Sequence, residues 1–286
     1  MNDSVCEERD EDDKAEALEG LDKIGENAIW GNMGEGGFYP ISEANEQLPP
    51  GYYEYAEYPD RLTPKEMKQE ELYNFPDSKC EKVLQEIKTF WGQEKLYEAL
   101  KIPYKRGILL YGPPGAGKSC TLEMACKMTM TLGGVILCFK HIHQFEVCYK
   151  MVRKVQPTAP VVAIIEDLDG TVQDVYAQEQ LLSMMDGITQ IHKVVFIGTT
   201  NNLKEIPSRV LRPSRFDKII EIDLPKEPTR RFYLENMLKK LASDKVDLNK
   251  WAHDTEGLSV AHLKELFIAV VVSGQNYEDT LTRLRT

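Results

Sequence analysis

The eight residues Gly112-Pro-Pro-Gly-Ala-Gly117-Lys118-Ser119 constrain the fold more than any other stretch of this 286-residue chain. They fit the spacing Gly-x4-Gly-Lys-Ser/Thr, with the apolar run Gly107–Tyr111 before them and a helical pattern after. A glycine-rich backbone can curl until successive N–H groups point inward, a shape that holds phosphate oxygens. The following helix turns its positive N-terminus to the same anion. In such a loop Lys118 reaches the β and γ phosphates of a nucleotide, and the Ser119 hydroxyl can sit on magnesium. A strand that feeds a phosphate-binding turn and then a helix opens an α/β fold.

Strands and helices do alternate from Ser78 onward. A helical stretch, Cys80 to Leu100, precedes the first strand, Gly107–Tyr111. The helix after the loop runs to about Leu132 and is closed by Gly133-Gly134. Val135–Lys140 reads as the second strand and the region Phe145–Val155 as a helix. Val161–Ile165 is continuously apolar, as a strand covered on both faces should be. Tyr176–Met185 is helical, and Val194–Gly198 and Lys218–Ile222 complete a five-stranded parallel sheet between helices. After Pro225 the strands stop, and four helical patterns (Pro228–Leu241, Leu248–His253, Ser259–Ser273, Tyr277–Leu284) form a second piece. The expected division is an α/β core over 77–225 and an all-helical part over 226–286.

The N-terminal quarter differs. Residues 1–26 hold eleven acidic and three basic residues, too polar to offset their ordering entropy, and are expected to be a disordered tail. Residues 27–76 set Trp30, Phe38, Tyr39, Tyr52, Tyr53, Tyr55 and Tyr58 among Gly and Pro turns, which reads as a small β-rich arm. The whole chain carries a net charge of −11, a sign that disfavours loose binding to nucleic acid or anionic membrane. Its longest clean apolar runs, such as Val161–Ile165 and Phe267–Val272, are far short of the about 20 residues that span a bilayer. The six cysteines form no Cys-x-x-Cys pair, so reduced, packing thiols and a cytoplasmic setting are expected. His141-Ile-His143 is expected to be a polar strand end rather than a metal site, since no third ligand lies near.

Three further segments carry chemistry. Val161–Ile165 ends in Glu166-Asp167-Leu168-Asp169, which delivers carboxylates to the sheet edge beside the phosphate loop. One acid can hold magnesium while the next orients or deprotonates an attacking water. Asn201 ends the apolar run from Val194 and can fix that water. Ser208–Asp217 concentrates Arg209, Arg212 and Arg215 in an otherwise acidic chain, the cations that can stabilise charge on a transferring phosphoryl group.

In order and spacing, Gly112–Ser119, Ile164–Asp169, Thr199–Asn201 and Leu211–Asp217 resemble the Walker A, Walker B, sensor-1 and arginine-finger motifs of AAA ATPases. Leu181–Gly187 and Glu256–Leu263 are also similar to segments of that family. The resemblance runs from about Phe75 to Arg285. The run from Ile102 to Gly115 looks closest to the mitochondrial Rieske-protein translocase group, and is similar to single-module AAA proteins of bacteria and phages. By position, the resemblance implies that Gly112, Pro113, Pro114, Gly115, Ala116, Gly117, Lys118, Ser119 and Cys120 bind ATP phosphates. Ser119 and Glu166 would serve Mg2+, Asp167 the water, and Asn201 would be the sensor. Arg212 and Arg215 would enter the ATP site of a neighbouring subunit in a homo-oligomeric ring, usually of six. Ser259 and Ala261, in a helical lid, would lie near the ribose and base.

The chain departs from the family pattern in three places. The acidic pair runs Glu166-Asp167 rather than Asp-Glu, His141–Pro160 holds no aromatic–aliphatic–Gly pore loop, and Val260 and His262 stand where Gly and Asp are usual. The expected function is an ATP-hydrolysing, ring-forming machine that remodels a protein partner. A DNA-associated loader and a nucleotide-gated scaffold with little hydrolysis are the alternatives. No arginine stands in Gly257–Thr282, where a loader commonly carries a second sensor.

Overall fold

A computed structural model describes residues 29–34, 37–41, 47–56, 61–66, 73, 75, 79–139, 141–186, 191–241 and 246–285. The expected acidic tail, Cys6, Tyr58 and Gly187 lie outside the described residues. The chain divides into two units, with the boundary between Leu48 and Pro49. In the first, β1 (Ile29–Gly34) and β2 (Gly37–Ile41) pair antiparallel as a hairpin.

The second unit begins with β3 (Gly51–Ala56), β4 (Arg61–Lys65), α1 (Cys80–Trp91), α2 (Glu94–Leu100) and β5 (Lys105–Tyr111). Then follow α3 (Lys118–Thr131), β6 (Val135–Cys138), α4 (Ile142–Val155), β7 (Val161–Ile165), α5 (Leu168–Thr171), α6 (Val175–Asp186) and β8 (Val194–Thr200). After β9 (Lys218–Glu221) come α7 (Glu227–Leu241), α8 (Leu248–Asp254), α9 (Val260–Phe267) and α10 (Tyr277–Arg285). Among the described residues no helix is long and apolar enough to cross a membrane.

The sheet has seven strands, in the order β4-β3-β6-β7-β8-β5-β9, not the expected five. All neighbours are parallel except β3 and β4. The two extra strands come from the aromatic segment, whose β3 pairs with β6 and covers what would otherwise be a bare edge. Tyr52 and Tyr53 are buried there, and the Tyr53 hydroxyl donates to the Pro49 carbonyl at 2.7 Å. Every residue of β7 and β8 is buried, which is why β7 reads as an unbroken apolar run and β8 as one up to Gly198.

Two helices expected to be continuous are interrupted. Cys80–Leu100 is cut at Gly92, whose N–H closes α1 onto Lys88 and Thr89. Ser259–Ser273 changes after Phe267 into a π turn over Ile268–Val272. The end of α3 is as expected: Gly134 bonds back to Thr129 and Gly133 to Met130, the paired bonds of a glycine-terminated helix. The histidine expectation is corrected, because β6 stops at Cys138 and His141 is the N-cap of α4. Its N–H donates to the Gln144 side chain at 3.2 Å, and the rings of His141 and His143 stack 5.7 Å apart.

The helical part has its own core, built on Leu234, Leu238, Trp251, Leu266, Phe267 and Leu281. Arg230, 4% exposed, pins this part to the chain leaving the sheet. Its guanidinium donates twice to the Ala252 carbonyl, at 2.9 and 2.7 Å, and once to that of Pro225, at 2.8 Å. Arg230→Met would leave both carbonyls buried and short of a donor, although it also removes a charge that burial disfavours. The expected net loss is about 2 kcal/mol, read as a lower urea midpoint and faster hydrogen exchange in α8.

Candidate active site

The phosphate loop joins β5 to α3 at the C-terminal end of the sheet. Gly117, the N-cap of α3, has φ 107°, a conformation that side chains resist even though open space surrounds its missing Cβ. Gly115, at φ 72°, also lacks room: a Cβ there would meet Ser259 Oγ at 2.5 Å and the Ala261 Cβ at 3.3 Å. Ser259 and Ala261 therefore stand directly against the loop. Ser259 is held by His262, whose Nδ1 lies 2.8 Å from Ser259 Oγ and accepts from its N–H at 3.2 Å. His262 thus fills the capping role that an acid at this position would serve.

Lys118 is 8% exposed, and its amine donates to the carbonyls of Gly112 (2.8 Å) and Pro113 (3.1 Å) and to Asn201 Oδ1 (2.7 Å). Burial pulls its ammonium below the usual range, while Asp167 and Asp169 push it back up. Lys118 and Asn201, 83 residues apart in sequence, are thus in direct contact.

Glu166 and Asp167 emerge exposed from the end of β7. Asp167 turns into the left-handed region (φ 46°, ψ 55°) and caps the one-turn helix α5 through its carbonyl, which accepts from Gly170 at 2.9 Å. Both acids line a cavity of about 760 Å³ with Ser119, Lys118, Asn201 and Ala261. Ser119 and Glu166 offer oxygen donors to the same space, the donor type that magnesium takes. A neighbouring cavity of about 410 Å³ lies against Ala116, Cys120, Phe75, Asp223 and Val260. Burial pushes the Cys120 thiol up to about 11, so it is a protonated wall of the pocket rather than a nucleophile. Tyr73 and Phe75 pack on Phe232 and Tyr233 of α7 with centroids 5.7 to 6.4 Å apart, linking this wall to the helical part.

Arg212 and Arg215 are not brought to this site. The Arg215 backbone lies on Gly107, so close that a Cβ there would meet its carbonyl oxygen at 1.6 Å. Five residue-to-residue steps of strand, about 17 Å, separate Gly107 from Gly112. The Arg215 guanidinium is also engaged, with Nε 2.6 Å from Asp186 Oδ2 and a further bond to the Arg209 carbonyl. Arg212 is exposed, and its side chain makes no hydrogen bond or ion pair with a described residue. Thr199, Thr200 and Asp169 fall within the motif segments named from the sequence but received no individual role there. The only signal was a pair of hydroxyls ending an otherwise apolar strand.

A parallel sheet with a glycine loop after one strand, and acids after the next strand but one, defines a P-loop nucleotide-binding fold. Residues 108–224 match the model of the ATPase family associated with various cellular activities (AAA), which identifies this stretch as an AAA domain. Among curated proteins it is 32% identical over 202 residues to the mitochondrial inner membrane i-AAA protease supercomplex subunit YME1 of Saccharomyces cerevisiae, covering 64% of this chain and 26% of that protein. It is 31% identical over 212 residues to the proteasome-activating nucleotidase of Archaeoglobus fulgidus, covering 66% and 52%. With the ATP-dependent zinc metalloprotease FtsH 3 of Phytoplasma mali the identity is 28% over 241 residues, covering 75% and 40%. The chain therefore spans from about a quarter to about half of these relatives' lengths.

Proposed function

We propose that this chain hydrolyses ATP as one subunit of a homo-oligomeric ring and uses the cycle to remodel a protein partner. The observation that carries the reading is a separation. Lys118, Asn201 and the two acids meet at one cavity, while Arg212 is exposed, lines neither that cavity nor its neighbour, and has no side-chain partner among the described residues. A cation that its own site cannot use suits a neighbour's site, which a closed ring supplies for every copy.

Within one subunit, the loop N–H groups and Lys118 would hold the β and γ phosphates. Asp167 and Asn201 would align a water and Asp167 would take its proton, with Arg212 of the next copy meeting the charge that develops. Magnesium, held by Ser119 and Glu166, would neutralise phosphate charge. The aliphatic and aromatic wall around Cys120, Phe75 and Val260 suits a nucleobase, with Ser259 and Ala261 on its phosphate side. A protein as the remodelled partner follows the relatives, whose names describe proteases and a proteasome activator. Five described cysteines carry free thiols, which suits a reducing compartment such as the cytoplasm.

Mixing two dead variants tests the reading. Lys118→Ala and Arg212→Ala are each expected to lack turnover alone. In an equal mixture a site is complete when an Arg212→Ala copy has a Lys118→Ala neighbour, roughly a quarter of all sites for random assembly into rings. Recovery to about that fraction supports the reading, and a mixture as inactive as its parts overturns it.

A further inference from the structure

The turn that carries the acids is braced from β8 by two buried hydroxyls. Asp167 occupies a left-handed backbone conformation that costs a residue with a side chain about 1–3 kcal/mol, so something must hold it there. Its N–H donates to Thr199 Oγ1 at 3.2 Å. Two residues on, Asp169 Oδ1 accepts from Thr200 Oγ1 at 2.7 Å, and the same hydroxyl accepts from the Asn202 N–H at 3.2 Å. Thr199 is 3% exposed and Thr200 fully buried, so little water reaches either hydroxyl. Between the two bonded positions of β8 and the Asn202 N–H sits Asn201, whose Oδ1 is in contact with the Lys118 amine.

Valine has the shape of threonine and a higher preference for buried strands, and β8 is otherwise Val-Val-Phe-Ile-Gly. Packing alone gives no reason for a hydroxyl at either position. The bonds do: those to Asp167 and Asp169 join the backbone or side chain of the acid turn to the strand that leads into Asn201.

We propose that Thr199 and Thr200 are positioning residues for ATP hydrolysis, fixing the Asp167 carboxylate and the Asn201 amide relative to each other so that both address one water. The inference rests on the hydrolase reading above. It concerns the chemical step rather than nucleotide binding, because neither hydroxyl is bonded to the phosphate loop. A displacement of about 1 Å in such a pair can cost about 10²-fold in rate while affinity stays constant.

The test is steady-state Mg-ATP turnover and nucleotide affinity for the full chain and for Thr200→Val, Thr200→Ser, Asp169→Ala and the Thr200→Val/Asp169→Ala double variant. Thr200→Val is expected to lower kcat by about 10–100-fold with KM for ATP within about 2-fold. Thr200→Ser restores the hydroxyl and is expected to recover most of the rate, which also guards against a valine variant that fails to fold. The double variant is expected to be no slower than the worse single one, since both remove the same bond. A valine variant at full kcat, a KM that rises as kcat falls, additive losses, or a serine variant as slow as valine would each overturn the inference. Absence of turnover in the unmodified chain would overturn the hydrolase reading and this inference with it. Turnover that Thr200→Val leaves untouched would remove the inference alone.

Discussion

Lys118→Ala is expected to lower ATP turnover by about 10²–10³-fold, the largest loss from any single substitution in the phosphate loop. Among the described residues the amine is the one buried cation lining the cavity where phosphates would sit, and it is aimed by three acceptors rather than left to rotate. Alanine removes the charge and frees Asn201 from its contact, so both nucleotide affinity and kcat should fall. The fold should survive, because Lys118 itself lines an open cavity and lies outside the apolar core, so water can take the place of the lost amine. Circular dichroism and thermal melting separate the two effects: a large change in turnover with a small change in melting temperature is expected. Turnover near that of the unmodified chain would remove the whole site assignment.

Arg212→Ala is expected to leave stability and nucleotide affinity unchanged while turnover drops by about 10³-fold or more. The stability half follows from exposure and the absence of partners among the described residues, which limits the change to about 0.5 kcal/mol. Arg215 should behave differently. It is 15% exposed in its side chain and anchored on Asp186, so Arg215→Ala would also loosen the loop that presents Arg212. Equilibrium binding of a fluorescent ATP analogue, beside steady-state rates, distinguishes the two arginines. A loss of binding in Arg212→Ala would assign that residue to its own subunit's site.

Much of this organisation was legible because its causes are local. Gly115 and Gly117 are required by backbone angle, and β7 and β8 by burial on both faces, so residue types alone reveal them. The joining of β3 to β6 was not legible, since parallel pairing of Tyr52 with Ile136 leaves no mark in either segment. Pro64 in β4 further hides a strand that tolerates it only as the sheet's edge. The helix breaks at Gly92 and Ile268 failed for the opposite reason, as the apolar pattern continues across them. At the site, residue identities were readable but their engagements were not. Nothing near Arg215 in sequence announces its tie to Asp186, 29 residues away, and nothing near Asp167 announces Thr199.

The central claim is that each ATP site is completed by a neighbouring copy. The most direct measurement is magnesium-dependent ATP turnover per chain, followed over a range of protein concentrations together with sedimentation to mark where the chain assembles. A per-chain rate that is near zero for dispersed copies, climbs as they assemble and then levels off is the expected result. A rate that stays constant down to concentrations where sedimentation finds only monomers would contradict the account, leaving a self-contained ATPase and no role across an interface for Arg212.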